Sequence, residues 1–308
     1  MALIRSQGGR PQNRDVASSI RPAPVPSPPP SNTPAPAAGP TRRRLLRCAL
    51  GAAIPWPAVG HAGVAITIGG VGSIGPLVQR LAEPYLRAYP KVRIDIVQPP
   101  MGTSGALRAL ALGRTQLVLA GRLPLPGESG RVLPWLRTPL VFASSDGVLD
   151  RLDAARVEAV FAGELATWDD GRPIRVILRG AQESETQALR AVSPGIDRAV
   201  AQALERRDLP MAADDLDALG FLGRIPGSFG TSSLGLVLTR SAPLRLLPYE
   251  GVAPTAQALE DGRYPLQRPY HLVHRPDAPP EVLRFIDHLR SASSLRLARS
   301  LGYLALAR

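Results

Sequence analysis

Hydrophobic residues recur along this chain at two spacings, one typical of strands and the other typical of helices. The segment V-A-I-T-I over 64–68 is a β-branched run that predicts a buried strand, and V-R-I-D-I-V over 92–97 alternates as a second strand does. Between them, Leu77, Leu81 and Tyr85 recur at helical spacing and predict a helix with one apolar face. The order strand, helix, strand is typical of an α/β fold.

The same alternation continues to the end of the chain and predicts parallel sheet layers covered by helices. Ligands of such folds bind where the carboxyl ends of the strands meet, so the strand-to-helix turns are the first candidates for a site. We predict further strands over 117–120, 139–143, 174–178, 234–238 and 269–274. We predict further helices over 106–112, 152–161, 184–191, 196–206, 214–219, 280–289 and 295–301.

The first 62 residues differ in character from the rest. Residues 1–40 are rich in proline and poor in apolar bulk, and are predicted to be disordered. Residues 41–62 combine the cluster Arg42, Arg43 and Arg44 with a short apolar run and small residues, which predicts a signal peptide cleaved after Ala62. The arginines fit the twin-arginine export pattern, and the alternative is a signal for the general secretory route. Both routes predict a periplasmic or otherwise extracytoplasmic location.

Net charge and cysteine content narrow the classes of function. The chain carries a net charge of +12, but residues 1–62 hold eight of its arginines and one acidic residue, which leaves 29 basic against 24 acidic residues in the remainder. So small a surplus, with no basic stripe, disfavours a nucleic-acid partner. The one cysteine, Cys48, falls in the apolar run of the predicted signal peptide, so no disulfide and no thiolate metal site are expected in the folded part.

Two predicted strand-to-helix turns share a design of glycine and hydroxyl residues that suits an anion. The first is G-V-G-S, which includes Gly72 and Ser73, and the second is G-T-S-G, which includes Thr103 and Ser104. Glycines let the backbone bend tightly, and the helix that follows presents free N–H groups and the positive end of its dipole. The structural alternative is that each hydroxyl is an ordinary helix N-cap.

A third turn, R-G-A-Q-E-S-E-T over 179–186, adds a positive charge. Arg179 is able to make a two-pronged contact with an anion while Ser184 and Thr186 donate from the start of the next helix. The alternative for Arg179 is a surface salt bridge with Glu183 or Glu185. The three turns form one site only if their strands converge on one cleft.

Beyond these turns, several longer segments resemble a known family. The segment V-A-I-T-I-G-G-V-G-S-I-G-P-L-V-Q-R-L, the second turn with the strand that ends at Arg122, and the C-terminal blocks P-P-E-V-L-R-F-I-D-H-L-R and L-G-Y-L-A-L resemble the phosphate-type substrate-binding proteins of ABC importers. The resemblance covers most of residues 64–306. It implies the two-lobed periplasmic-binding-protein fold of type II, each lobe a mostly parallel sheet flanked by helices. Together with the grouping of the strands it implies one lobe over 63–142 and 226–308, a second over 143–225, and a hinge between them.

The resemblance also implies a function and a set of ligand contacts. The implied function is capture of a small oxyanion, with phosphate favoured, for the membrane subunits of an ABC importer. We expect a monomer without a cofactor or a metal. The implied contacts are Gly72, Ser73, Thr103, Ser104, Arg122, Arg179, Ser184 and Thr186.

Two departures from the family pattern concern negative charge. Members selective for phosphate often have a carboxylate where this chain has A-G-R over 120–122, and the usual Ser-Gly-Thr is here Ser184, Glu185 and Thr186. Glu183 adds a second acid, and a multivalent anion requires both glutamates to point away, because an unpaired buried carboxylate beside an anion is costly. The alternative function is an exported sensor or interaction protein whose site no longer binds phosphate tightly.

An enzymatic function is not favoured. The nucleophile pattern G-x-S-x-G does not occur in the sequence. His271 and His274 lie three residues apart on a predicted strand and therefore face opposite sides, and His288 lies on a predicted helix beside Asp287. Each histidine is interpreted as a surface or hydrogen-bonded residue, and no metal site is predicted.

Overall fold

The computed structural model describes residues 64–149 and 151–306. The disordered segment predicted over 1–40 and the signal peptide predicted over 41–62 lie outside the described residues, so both stay predictions. Among the helices of the described ranges, none combines the length and the apolar character needed to cross a membrane.

A mixed β-sheet organises the described part of the chain. Its strands and those of a second, small sheet are, in chain order, β1 Val64–Gly70, β2 Val92–Ile96, β3 Leu117–Ala120, β4 Arg131–Ser144, β5 Arg175–Val176, β6 Leu178–Arg179, β7 Met211–Ala212, β8 Ser228–Ser233, β9 Arg245–Leu247, β10 Gln267–His274 and β11 Leu304–Ala305. The main sheet has the order β2, β1, β3, β10, β4, β8, β5, and β9 and β11 also pair with β4. Strands β6 and β7 form the small sheet.

Helices connect these strands and pack against the sheet. The apolar face predicted for the first helix is confirmed, because Leu77, Leu81 and Tyr85 are all buried. The helices are α1 Gly75–Ala88, α2 Gly102–Ala111, α3 Ala154–Ala162, α4 Ser184–Arg190, α5 Pro194–Glu205, α6 Asp215–Arg224, α7 Leu234–Thr239, α8 Ala256–Glu260, α9 Pro280–Leu289 and α10 Ala292–Ser300.

The α/β class predicted from the sequence is confirmed, but the sheet is mixed rather than mostly parallel. Strand β1 runs parallel to β2 and β3, and β5 runs parallel to β8. In the middle of the sheet, β10 is antiparallel to both β3 and β4, and β4 is antiparallel to β8. Strands β8 and β10, which come from the second half of the chain, run against β3 and β4. The alternation of strands and helices along a sequence does not reveal the direction of a strand in its sheet.

Strand β4 spans 14 residues and joins two hydrophobic clusters. Its first part carries Trp135 into a cluster with Ile68, Tyr270 and Phe285. Its last part carries Phe142 into a second cluster. The sequence predicts only the last part as a strand, because Pro134 and Arg137 interrupt the hydrophobic pattern before it.

The lobe boundaries at 142/143 and 225/226 stay a prediction. The second cluster combines residues from both sides of the later boundary: Val157 and Phe161 pack there with Phe229, Leu247 and Tyr264. Apolar packing is therefore continuous between the segment 143–225 and the strands that follow it.

The strand predicted over 234–238 is wrong, since this segment forms helix α7. Its residues Leu234, Leu236 and Val237 are buried while Leu238 is 42% exposed, and the Ser233 hydroxyl caps the helix by accepting a hydrogen bond from Leu236 N at 3.4 Å. The strand is instead the preceding segment β8, S-F-G-T-S-S, whose six residues are all buried. Apart from Phe229 its residues are small and read as a loop in the sequence, but the segment pairs with β4 on one side and with β5 on the other.

Candidate functional site

The three turns that the sequence singles out come together in one buried polar cluster. The backbone N–H of Ser73 donates to Asp215 Oδ2 at 3.0 Å, and Asp215 Oδ1 lies 3.8 Å from Arg179 Nε. The first turn is thus linked to the third through an aspartate at the start of α6. Asp215 was not among the residues predicted from the sequence.

The second turn adjoins the third through Gly121. Gly121 N donates to Thr103 Oγ1 at 3.0 Å. A Cβ at Gly121 would lie 2.4 Å from the Ser184 Oγ, so only glycine lets these two segments approach so closely. Ser73, Thr103, Arg179, Ser184 and Thr186 are all buried.

The hydroxyl residues of the turns are not helix N-caps. The N-cap positions are Ile74 for α1, Met101 for α2 and Glu183 for α4, and none of the three makes a side-chain cap hydrogen bond. The structural alternative for Ser73, Thr103 and Ser184 is therefore not realised, and the N–H groups at the starts of these helices have no capping side chain.

Arg179 ends strand β6 and is held between β8 and α4. Its Nη2 donates to Thr231 Oγ1 at 2.6 Å and its Nη1 donates to Thr231 O at 3.2 Å. The same Nη2 also donates to Glu185 Oε1. The salt bridge with Glu185 that the sequence offers as an alternative for Arg179 is thus present, but it is buried rather than on the surface. Thr186 Oγ1 donates to Arg179 O at 3.3 Å, which ties the helix start to the strand.

Arg268 is a second arginine of the cluster, and the sequence-based reasoning missed it. It lies on β10 with its side chain fully buried, and its Nη1 lies 2.9 Å from Glu185 Oε2. Its Nη2 donates to Ser184 Oγ at 3.2 Å, and its guanidinium lies 5.8 Å from the centre of the Tyr270 ring. One signal was available: strand alternation places Arg268 on the same face as Tyr270, which is the face of the core.

Glu185 points into the site, whereas binding of a multivalent anion requires this carboxylate to point away. Its side chain is 1% exposed, and its two oxygens contact one guanidinium each, Arg179 through Oε1 and Arg268 through Oε2. With Asp215, the cluster holds two arginines and two carboxylates, whose formal charges cancel. The residue that replaces the glycine of the resembled motif is therefore the centre of the ionic network.

The arginines keep Asp215 ionised in spite of its burial. Burial raises the pKa of Asp215, but the charges of Arg268 and Arg179 and the hydrogen bonds from Ser73 outweigh it, so the pKa is lowered below its usual value. Burial lowers the pKa of Arg268, and the charge of Glu185, followed by those of other neighbours, more than restores it. Both groups remain charged at neutral pH.

Glu183 lies at the edge of the cluster, next to the second turn. Its Oε1 is 3.5 Å from the position that a Cβ would take on Gly102. Burial, reinforced by the charge of Asp215, raises the pKa of Glu183 above its usual value. Unlike Glu185, it forms no ion pair with Arg179 or Arg268 among the described contacts.

Arg122 and Ser104 form a separate pair beside the cluster. Arg122 Nη2 donates to Ser104 Oγ at 2.6 Å, and its guanidinium holds both oxygens of Glu128 at 2.7 and 2.9 Å. The Arg122 hydrogen bond lowers the pKa of Glu128 to about 2, against a smaller opposing effect of burial. Gly72 precedes Ser73 in the first turn, and a Cβ there would lie 3.1 Å from Pro100 Cγ and 3.6 Å from Leu216 Cγ. Among the contacts of the described residues, none joins Arg122, Ser104 or Gly72 to Arg179 or Arg268.

The structure describes three of the four histidines, His271, His274 and His288. His288 Nε2 is 2.8 Å from Leu81 O, and His274 Nδ1 is 2.7 Å from Arg275 O. His271 and His274 are buried rather than on the surface, and burial lowers the pKa of His271. Among the described residues, no group of three or more His, Cys, Asp or Glu side chains is arranged to hold a metal ion.

Comparison with known proteins identifies a family to which most of the chain matches. A family model, the PBP superfamily domain, matches residues 57–293. The phosphate-binding protein PstS 2 of Streptococcus pneumoniae serotype 4 is 28% identical over 113 residues, which cover 35% of this chain and 38% of that protein. The chain thus matches well under half the length of that curated relative.

Two solved structures have a similar fold at low sequence identity. One is a protein described as a phosphate ABC transporter substrate-binding protein from Clostridium perfringens with phosphate bound, at 16% identity and a TM-score of 0.68, covering 79% of this chain and all of that one. The other is an ABC-type phosphate transport receptor from Vibrio cholerae, at 17% identity and a TM-score of 0.58, covering 78% of this chain and all of that one. At these identities the likeness shows the fold alone.

Proposed function

The chain belongs to the PBP superfamily, and on that premise we propose that it is a solute-binding protein that captures a small oxyanion, with phosphate as the favoured ligand, for an ABC importer. The names of its relatives support phosphate as the ligand class, since both solved structures and the curated relative are described as phosphate-binding or phosphate-transport proteins. Capture takes place outside the cytoplasm, in line with the export signal predicted over 41–62.

One observation carries the proposal: two arginines from distant parts of the chain aim at the same point. Arg179 and Arg268 contact the two oxygens of one carboxylate, and Ser184 Oγ accepts a hydrogen bond from Arg268 Nη2 beside them. A pair of guanidinium groups around one carboxylate supports a site able to hold a planar or tetrahedral oxyanion. The hydroxyls of Thr103 and Thr186 adjoin this point within the same buried cluster.

The role proposed is binding rather than catalysis, and the partners follow from it. A solute-binding protein delivers its ligand to the membrane subunits of its importer, so these are the expected partners. We expect the chain to act as a monomer that closes around the anion, with the crossings between the predicted lobes as the hinge.

Titration calorimetry with a panel of anions tests this function. The purified protein is titrated with phosphate, sulfate and molybdate in separate runs at one ionic strength. We expect saturable binding of phosphate with a stoichiometry of one. Absence of a binding signal in the titrations with all three anions contradicts the proposal.

The second candidate is an exported sensor or interaction protein that does not bind phosphate tightly. The position of Glu185 favours it, because this carboxylate already occupies both arginines of the cluster. In that case the protein gives no binding in the titrations while remaining folded by circular dichroism.

A further inference from the structure

The Glu185 carboxylate lies where an oxyanion held by Arg179 and Arg268 would have to lie. Its Oε1 accepts from Arg179 Nη2, and its Oε2 lies 2.9 Å from Arg268 Nη1. We propose that Glu185 is an internal competitor, a carboxylate of the chain itself that fills the anion site and must leave when an oxyanion enters. This inference rests on the proposed function and concerns the affinity and the charge preference of the same site.

The contacts of Glu185 are of the kind that an oxyanion makes. A carboxylate offers two oxygens and one negative charge, and paired guanidinium groups bind carboxylate and phosphate oxygens alike. All three side chains are buried, Arg268 at 0%, Glu185 at 1% and Arg179 at 6% exposure. Water therefore does not screen these contacts, and an entering anion has to replace them.

Space excludes simultaneous occupation. Glu185 is the second residue of α4, between Ser184, which faces Arg268, and Thr186, which is bound to Arg179 O. On the opposite side, Gly121 already approaches Ser184 so closely that a Cβ there would lie 2.4 Å from its Oγ. The segment is packed from both sides, so an anion between the two guanidinium groups displaces the Glu185 side chain.

The net charge of the cluster determines which anions are able to compete with Glu185. With Glu185 in place, the formal charges of Arg179, Arg268, Glu185 and Asp215 cancel, and a further anion adds uncompensated negative charge in a buried place. Once Glu185 withdraws, the two arginines and Asp215 leave one net positive charge for the ligand. The site of the natural chain therefore favours an anion of low charge, and loss of Glu185 increases affinity for phosphate.

The first test compares phosphate binding by the natural protein, Glu185→Gln and the control Glu260→Gln. Glu260 also pairs with an arginine through both carboxylate oxygens, but on the exposed surface. Arg299 Nη1 donates to Glu260 Oε1 at 2.8 Å, and Arg299 Nη2 pairs with Glu260 Oε2. We expect Glu185→Gln to bind phosphate at least about tenfold more tightly than the natural protein, and Glu260→Gln to remain within about twofold of it.

The outcomes separate this inference from the proposed function. Tighter binding by Glu185→Gln supports the inference, including the case in which the natural protein binds no phosphate. Equal affinity of the natural protein and Glu185→Gln overturns the inference and leaves the proposed function standing. Silence of all three proteins with phosphate overturns both.

A second variant covers the case in which loss of the ion pairs impairs folding. Glu185→Ala leaves Arg268 and Arg179 without their shared carboxylate, so its thermal midpoint is expected to fall. Phosphate then takes over the vacated contacts and stabilises the native state by mass action. We expect phosphate to raise the midpoint of Glu185→Ala more than that of the natural protein, with chloride at the same ionic strength as the control. An equal rise in the two proteins, or failure of Glu185→Ala to fold at any phosphate concentration, overturns the inference.

Discussion

Arg268 Nη1 lies 2.9 Å from Glu185 Oε2, and neither side chain of this pair is more than 1% exposed. The pair joins β10 to the start of α4, two segments that are far apart in the sequence. A buried charge is tolerated only when its partner is in place, because removal of one partner leaves the other desolvated and unpaired. The candidate site is thus also a structural junction, and its residues should affect both binding and stability.

Removal of Arg268 should strongly destabilise the fold. Arg268→Ala leaves Glu185 with Arg179 as its remaining ion-pair partner and deletes a fully buried side chain, so we expect a loss of about 3 kcal/mol or more in the free energy of unfolding. Urea denaturation followed by circular dichroism measures it. The control is Arg93→Ala. Arg93 pairs with Asp95, but its side chain is 73% exposed, so this substitution should change the free energy of unfolding by less than about 1 kcal/mol. Equal effects of the two variants contradict the prediction.

Arg179 should contribute directly to affinity. Arg179→Ala removes a charge-assisted contact, so we expect phosphate binding to weaken by about 2 kcal/mol, roughly 30-fold. Calorimetry measures the change, with Arg190→Ala as the matched control. Arg190 lies at the end of α4, the helix whose start carries Glu185, but it pairs with Asp197 at the surface, so its removal should leave affinity unaltered. Unchanged affinity in Arg179→Ala rules out its role as an anion contact.

Asp215 should stabilise the protein at neutral pH and lose that effect in acid. Its pKa is lower in the folded state than in the unfolded chain, so its contribution is present above the unfolded pKa of about 3.9 and is lost as the pH falls through the folded pKa. Asp215→Asn should therefore be less stable than the natural protein at pH 7, and the difference should shrink in acid. Denaturation curves over a series of pH values check this. A difference that grows in acid contradicts it.

Glu183 should have the opposite pH dependence. Its pKa is raised in the folded state, so the ionised side chain destabilises the fold at neutral pH, and protonation relieves this as the pH falls through the folded pKa. Glu183→Gln should be more stable than the natural protein at pH 7, with the gain declining as the pH falls. The same denaturation series measures it. A loss of stability at pH 7 would show that Glu183 has a stabilising partner.

The helix α7 should not accept a larger residue at Gly235. A Cβ at this position would lie 2.1 Å from the Tyr303 ring, so Gly235→Ala is expected to cost about 1–3 kcal/mol through overpacking. Gly223→Ala in α6 is the control. Its side chain meets only Leu244 at 4.0 Å, and the better helix propensity of alanine should leave the protein equally or more stable. Equal tolerance at both positions contradicts the packing of α7 against Tyr303.

The sequence pattern predicts the elements better than it predicts their partners. The strand at Val64–Gly70 and the helix at Gly75–Ala88 follow from periodicity, because their burial pattern depends mainly on their own residues. The exchange of β8 and α7 could not be foreseen in this way. Five small residues and Phe229 form a strand because β4 and β5 pair with them on either side, and the segment L-G-L-V-L forms a helix that buries Leu234, Leu236 and Val237.

The candidate site shows the same limit. Arg179, Ser184, Thr103 and the N–H of Ser73 were identified because a turn before a helix is a local feature of the sequence. Arg268 was missed because its relation to Ser184 spans 84 residues and no local rule connects them. Glu185 was recognised as a departure from the family pattern, but its direction depends on where both arginines lie, which only the folded chain reveals.

A crystal structure of the protein grown with saturating phosphate tests the central claim most directly. The account predicts one phosphate with oxygens within about 3 Å of a guanidinium nitrogen of Arg179 and of Arg268, and a Glu185 side chain turned away from both. Phosphate bound at another place, or Glu185 still paired with both arginines while phosphate is present at saturation, contradicts it.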